Sequence, residues 1–392
     1  MGLAPGIASV LRSCVAHSQT NEATRAALSR VPPPKLAGLA RGAGYHGVSA
    51  YLLAASDEGV GLPPDEREQL RDRRRGIAID HLRALGDLRF LRDVLDDAHV
   101  PWLVIKGPTL AEPVHGNPVL RGYADLDIVV PAACLRRAIT ALSAAGAELL
   151  ARNWTLLLAE MKGELSLALP SGTELDLHWH LLNDQDRRAN FPIRMDELFE
   201  RSATVEVGGL EVPTLDPADT VVYVALHSVL SGADRLIWLK DVERLLDRGI
   251  APLDTIEDRA RRWNAELALT AVLDRIEDTI GLPPAGAALL STLPRQRVWT
   301  AVSRPAWRAY PVEREDGSGS LGRLVARSVR ATQRSTLRTV ATKVGRHLLG
   351  SLRGQRAGGH RTIEPDDPGS SSYASGGEAM REAYYDAVAQ QR

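Results

Sequence analysis

Apolar residues in the first hundred positions recur at helical intervals. Through a charged stretch from Asp65 to about His99, Leu82, Leu85, Leu88, Leu91, Val94 and Leu95 keep three- and four-residue steps. That pattern predicts one long amphipathic helix, set off by the break Gly59-Val-Gly-Leu-Pro-Pro64. The period then changes. Residues 102–105 form a short apolar run that stops at Lys106-Gly107-Pro108, which reads as strand, turn and helix. Pro108 suits a first helical turn, where its missing donor would be unpaired anyway. Residues 126–130 predict a second strand, and Pro131 opens a helix that Gly146 ends. Residues 165–169 and 174–179 predict a hairpin, and residues 204–207 and 210–212 a second one around Gly208-Gly209. From Asp216, an N-cap followed by Pro217, the chain reads as helical to about residue 310.

A polar, glycine-rich break covers 313–320. The last stretch, from about Gly354, is rich in Gly, Ser, Asp and Pro. It predicts disorder, with at most a marginal helix from Glu378 to Val388. The expected division is therefore a helical region 1–99, a strand-bearing core 100–215, a helical domain 216–312, a basic helical segment 313–353 and a tail 354–392.

Composition narrows the classes of function. The hydrophobic share of 44% and the charged share of 25% are those of an ordinary globular chain. A net charge of -1 excludes a general polyanion binder, so any basic surface is local. Cys14 and Cys134 provide neither a disulfide framework nor a zinc cluster, and the expectation is a cytoplasmic protein. The first twelve residues lack a basic start, and Arg12 interrupts their apolar run, so no signal peptide is expected. No apolar run is long enough to predict an integral membrane segment.

Candidate chemistry concentrates in three places. Asp125 and Asp127 are two apart in a predicted strand, so both side chains leave one face while Leu126 and Ile128 enter the core. Two carboxylates on one face repel unless a cation sits between them, and hard oxygen donors suit Mg²⁺. Asp176 lies in another apolar strand, between Leu175 and Leu177, either on a solvated face or as a third ligand. The Lys106-Gly107 turn precedes a predicted helix, whose first amides attract phosphate. Three acids around metal ions are what in-line nucleotidyl transfer needs.

Four ordered motifs then carry a resemblance. Leu103-Val-Ile-Lys-Gly-Pro108, Arg121-Gly-Tyr-Ala-Asp-Leu-Asp-Ile-Val-Val130, Leu175-Asp-Leu-His-Trp179 and the stretch from His227 through Arg235-Leu-Ile-Trp-Leu-Lys-Asp241 resemble the uncharacterised bacterial nucleotidyltransferases. That family belongs to the DNA polymerase β-like nucleotidyltransferase superfamily, and the similarity runs from about residue 80 to about 280. It implies an α+β fold: a small mixed sheet with flanking helices, a helical N-terminal region and a C-terminal helical domain. It also implies Mg²⁺, with Mn²⁺ as the substitute, and a nucleoside triphosphate such as ATP as donor. Asp125, Asp127 and Asp176 carry over as metal ligands and catalytic acids. The expected nucleotide contacts are Lys106, Gly107, Arg121, His178 and Lys240. The wider superfamily has Gly-Ser in the first turn and a shorter gap to the acids, whereas here 17 residues separate Gly107 from Asp125. The grip on the triphosphate therefore departs from the superfamily pattern.

The resulting expectation is a metal-dependent transfer of a nucleoside monophosphate to a hydroxyl, phosphate or amine. The resemblance suggests a peptide or saccharide acceptor, as in biosynthetic tailoring. The alternatives are a non-catalytic nucleotide- or peptide-binding protein of the same fold, and transfer of a sugar from a sugar nucleotide. For Arg121 the competing reading is a pair with one of the acids, and for Lys106 a solvated turn lysine. His178 and His180 share the face of Asp176, a row that is either a zinc or iron set or a pair of hydrogen-bonded histidines lining a cleft. Separately, Arg323, Arg327, Arg330, Arg334 and Arg338 predict one basic stripe on a helix over 323–346, a candidate contact for an anionic partner. From Gly317 to Arg361 there are ten Lys or Arg and no acid.

Overall fold

The computed structural model describes residues 5–294, 297–308, 321–352 and 369–391. Those residues form 19 α-helices and one mixed sheet of seven strands, an α+β architecture as the sequence predicts. They divide into two units. A helical unit takes the described residues of Met1–Ala78, Asn117–Arg121 and Val221–Gly359. A sheet unit takes those of Ile79–Gly116, Gly122–Thr220 and His360–Arg392.

The sheet consists of β1 (Leu103–Val104), β2 (Asp125–Val129), β3 (Glu148–Leu149), β4 (Glu164–Ala168), β5 (Glu174–His178), β6 (Ala203–Val207) and β7 (Leu210–Thr214). Their order is β3-β4-β5-β2-β1-β7-β6. The two hairpins close as predicted, β4 with β5 and β6 with β7, both antiparallel. The β2–β5 and β1–β7 neighbours are parallel, whereas β1 and β2 run antiparallel. The short strand β3 had no sequence signal beyond Gly146, which turns the chain in the left-handed region at φ 98°.

Leu126, Ile128, Leu165, Leu167, Leu175 and Leu177 are buried at 0–1% exposure and floor the sheet unit. Against them pack Leu88, Leu91 and Leu95 of the Pro64–Asp97 helix and Leu135, Ala138 and Leu142 of the Leu135–Ala144 helix. The long helix matches its predicted span, but its apolar row does not lie on one face. Leu82 is 68% exposed. At 3.6 residues per turn each three-residue step falls about 60° short of a full circle, so Leu82 points away from Leu91.

The expected helix after Lys106-Gly107 is a single turn, Pro108–Ala111. The predicted basic helix is two helices, Leu321–Ala326 and Gln333–Leu352. Thr332 and Ser335 cause the break by exchanging side-chain to backbone hydrogen bonds, both at 3.2 Å, in the manner of a capping box. The stripe is also partly spent inside the unit. Arg330 is buried and donates to the Val329 carbonyl at 2.9 Å, and Arg323 lies 3.5 Å from Asp234.

Part of the expected disordered tail is ordered, and the marginal helix that the sequence allowed from Glu378 to Val388 forms. Residues 353–368 lie outside the described residues, but the chain then forms the Gly377–Ala389 helix. Its Tyr384 and Val388 are fully buried, and Tyr384 and Tyr385 lie against Trp154 with ring centres 6.0 and 5.6 Å apart. The Tyr384 hydroxyl donates to the Lys162 carbonyl at 2.6 Å and accepts from Trp179 Nε1 at 3.0 Å. Polar composition over the whole tail masked three apolar residues, 384, 385 and 388, that share one helical face.

Candidate active site

Strand pairing assembles one polar face on the sheet unit. Parallel registry sets Asp125 opposite Glu174 and Asp127 opposite Asp176. Antiparallel registry sets Ser166 opposite Asp176, and Glu164 opposite His178. Since side chains alternate along a strand, these residues share the face that their leucine neighbours leave free. Lys106 joins them from the end of β1, where the Ile105 amide donates to the Asp127 carbonyl at 3.1 Å. Gly107 follows at φ 72° and ψ -117°, a conformation that suits glycine, and this turns the chain away immediately after the lysine.

The distances within the face are short. The Lys106 ammonium lies 2.5 Å from Asp127 Oδ2 and 3.8 Å from Asp125 Oδ2. His178 Nε2 is 3.2 Å from Asp127 Oδ1, and His178 Nδ1 is 3.5 Å from Glu164 Oε2. The Ser166 hydroxyl donates to Asp176 Oδ1 at 2.9 Å. Asp127 is 2% exposed, whereas the Asp125 side chain is 38% exposed and stands at the rim. Asp127, Asp176 and His178 each offer a donor atom, and these three atoms lie within 4.8 Å of one another.

Electrostatics separates the two facing acids. Burial alone would raise Asp127, but the Lys106 ammonium and His178 outweigh it and hold that carboxyl well below the usual range. Asp176 is raised, by its own burial first and then by the negative Asp127. Burial would lower Lys106 and His178, yet the carboxylates around them leave both raised. Glu164 is raised by burial. The face is thus an excess of carboxylates around one ammonium, an arrangement that a divalent cation would stabilise.

Of the predicted site residues, this face brings together Lys106, Gly107, Asp125, Asp127, Asp176 and His178. Arg121 and Lys240 belong to the helical unit. Arg121 makes a forked pair with Asp241, Nε to Oδ1 at 2.9 Å and Nη2 to Oδ2 at 2.9 Å, and both residues are buried. Lys240 is buried and lies 2.7 Å from Glu243, which also meets His17 Nδ1 at 2.7 Å. His17, Glu243 and Asp247 form a second group with metal-ligand spacing, and there Lys240 already supplies a cation to Glu243. His180 stands apart from the acids. Its Nδ1 accepts from the Leu182 amide at 3.0 Å, and burial followed by Arg188 pushes it down to about 3.

Sequence reasoning missed Glu164, Ser166 and Glu174. The alternation Glu164-Leu-Ser-Leu-Ala168 carried the signal, since it puts Glu164 and Ser166 on the non-core side. The predicted hairpin set this strand beside that of Asp176 and His178, but nothing in the alternation marked Glu164 and Ser166 as their partners.

A family model described as uncharacterised nucleotidyltransferase matches residues 32–281. The chain belongs to this family. Membership implies a nucleotide substrate. The matched span contains every residue of the polar face, while the Gly377–Ala389 helix lies beyond it. The chain is also similar to the crystal structure of an antigenic nucleotidyltransferase-like protein from Paracoccidioides brasiliensis. That likeness has 14% identity and a TM-score of 0.37, and covers 57% of this chain and 97% of that one. No curated protein matches the chain. Among the described residues no helix is long and apolar enough to cross a membrane.

Proposed function

We propose that this face transfers a nucleoside monophosphate from a nucleoside triphosphate to an acceptor hydroxyl, phosphate or amine, with Mg²⁺ or Mn²⁺ held by Asp127 and Asp176 and with Asp125 at the rim. The direct opposition of Asp127 and Asp176 across β2 and β5 carries the proposal. The donor set fits a hard divalent cation. One oxygen of each acid is engaged by the protein, Asp127 Oδ1 by His178 and Asp176 Oδ1 by Ser166, and Asp127 Oδ2 meets only an ammonium. When bound, the ion supplies charge neutralisation for the triphosphate and the leaving pyrophosphate.

The chain's own residues do the remainder. Lys106 is the one ammonium on the face among the described residues, and it exchanges its carboxylate partners for phosphate oxygens when the nucleotide enters. Asp176, whose carboxyl is raised, takes the proton from the acceptor. A bond forms from the acceptor atom to the α-phosphorus, and the bond from that phosphorus to the bridging oxygen breaks, releasing pyrophosphate. In this reading Arg121 and Lys240 hold the helical unit together, and Lys106, Asp125, Asp127, Asp176 and His178 of the first three motifs converge on the sheet.

The test is incubation with each labelled nucleoside triphosphate, Mg²⁺ or Mn²⁺, and candidate peptide or saccharide acceptors. Label should appear on an acceptor with release of pyrophosphate. Asp127→Asn and Asp176→Asn should abolish both signals; transfer that persists in both variants rules the mechanism out.

A further inference from the structure

We infer that Glu164 is a positioning residue for this site, acting on Asp127 through the His178 ring, and that His178 holds Asp127 rather than binding the metal. The inference rests on the metal-binding reading above. Its geometry is a chain of three groups. Antiparallel pairing puts Glu164 directly opposite His178. Glu164 Oε2 lies 3.5 Å from Nδ1 of the ring, while Nε2 faces Asp127 Oδ1 at 3.2 Å. Nδ1 is buried and makes no hydrogen bond of its own, so Glu164 is its charged neighbour. A ring held between two carboxylates has a fixed plane, and that plane fixes which oxygen of Asp127 faces the cation.

Glu164 is itself anchored. Asn183 Nδ2 donates to Glu164 Oε1 at 2.5 Å, and the Gly163 amide donates back to the side-chain and main-chain oxygens of Asn183, both at 2.9 Å. Gly163 has no room for a side chain: a Cβ there would lie 2.7 Å from the Leu182 carbonyl oxygen and 3.1 Å from the Asn183 Cα. The loop therefore packs backbone against backbone beside Glu164. On the facing acid Ser166 plays the equivalent part, with its hydroxyl on Asp176 Oδ1. Each acid thus has one oxygen held by a neighbouring strand's side chain, and the other oxygen of Asp127 meets Lys106, the cation that a metal would displace in the proposed reading.

The experiment uses the full chain and Mn²⁺ alone, with affinity read by the free-ion signal in electron paramagnetic resonance. Glu164→Ala should weaken Mn²⁺ binding by about ten- to a hundredfold. His178→Ala should do the same, and the double variant should be no worse than either single one. Glu164→Gln keeps an acceptor and the contact to Asn183, so it should recover part of the loss. Asn183→Ala, which frees Glu164 without removing it, should give a smaller loss in the same direction. Spin-echo modulation of bound Mn²⁺ should show no directly bonded nitrogen. Unchanged affinity in Glu164→Ala, additive losses in the double variant, or a nitrogen ligand assigned to His178 would each overturn the inference. Asp127→Asn separates the two levels. If it abolishes Mn²⁺ binding while Glu164→Ala leaves the affinity unchanged, the relay alone fails; if it leaves binding intact, the metal reading fails and takes the relay with it.

Discussion

The Lys106 ammonium lies 2.5 Å from Asp127 Oδ2, on the acid that faces Asp176 across β2 and β5. The pair is almost wholly buried, with the lysine side chain 16% and the aspartate 2% exposed. A buried ion pair is costly to break by removing one partner, because the other charge is left alone. Lys106 therefore neutralises the acid and, in the proposed reading, competes with the metal for it.

That competition gives an outcome of unusual sign. Lys106→Met should lower stability by about 3 kcal/mol in the absence of metal, because it strands the Asp127 carboxylate. The same variant should bind Mn²⁺ alone more tightly than the parent, and Mn²⁺ should restore most of its lost melting temperature. Its KM for the nucleoside triphosphate should rise. Weaker Mn²⁺ binding in Lys106→Met, measured by titration calorimetry, would contradict the competing-cation role.

Removal of either facing acid should act on the chemical step. Asp176→Asn should lower kcat by at least about a hundredfold with a smaller change in KM for the nucleotide, since Asp176 acts on the acceptor side. Steady-state kinetics on pyrophosphate release, with circular dichroism as the check on folding, would read this. A change confined to KM would move Asp176 from proton transfer to binding.

His180 should set the acid limit of the fold. Its folded value, about 3, lies far below the ordinary 6.5, because burial and Arg188 oppose the charged ring. A depressed group contributes stability that is present above its unfolded value and is lost as pH falls towards the folded one. The contribution of His180 should therefore decline from about pH 6.5 towards pH 3, by about 5 kcal/mol at most. Asp127 is also depressed, but its loss begins only as pH falls through the ordinary carboxylate value, and the raised His178 loses its contribution on the alkaline side. Urea unfolding across this window should show a flatter slope in His180→Gln, and an unchanged slope would remove His180 as the cause.

The helix beyond the family match should be part of the sheet unit's stability. A chain ending at residue 368 should expose Trp154 and Trp179, which pack against and hydrogen-bond Tyr384, and shift tryptophan emission to the red. Within the full chain, Tyr384→Ala should cost about 3–5 kcal/mol and Tyr384→Phe about 1–2 kcal/mol. A truncated chain with unchanged emission and melting temperature would show the helix to be dispensable.

Arg121 offers a contrast between stability and chemistry. Arg121→Lys removes a buried forked pair with Asp241 and should cost about 3 kcal/mol. kcat/KM per folded molecule should stay within about twofold. A large loss of kcat/KM in a folded Arg121→Lys would return Arg121 to the nucleotide site.

The sequence by itself determined the local elements. Period-two leucines fixed β2, β4 and β5 and the face on which Asp125, Asp127 and Asp176 stand, because alternation along a strand is a property of the backbone alone. Gly208-Gly209 fixed the second hairpin, since both residues sit in the left-handed region. Four motifs in order were enough to reach the family. Periodicity misled at Leu82, where three-residue steps drift around a helix, and composition misled at Tyr384, where a polar tail hid three apolar residues on one face.

Only the tertiary structure decided which groups meet. Alternation and the predicted hairpin place Glu164 on the polar side of the strand beside β5, but the parallel pairing of β2 with β5, which brings Asp127 to His178 and Asp176, is non-local. The same holds for Lys106 folding onto both acids of β2, and for the forked pair of Arg121 with Asp241. Each of these is a charge contact of a few ångströms between residues far apart in the chain or on different elements. Such contacts are selected by packing of the whole core, which no local pattern encodes.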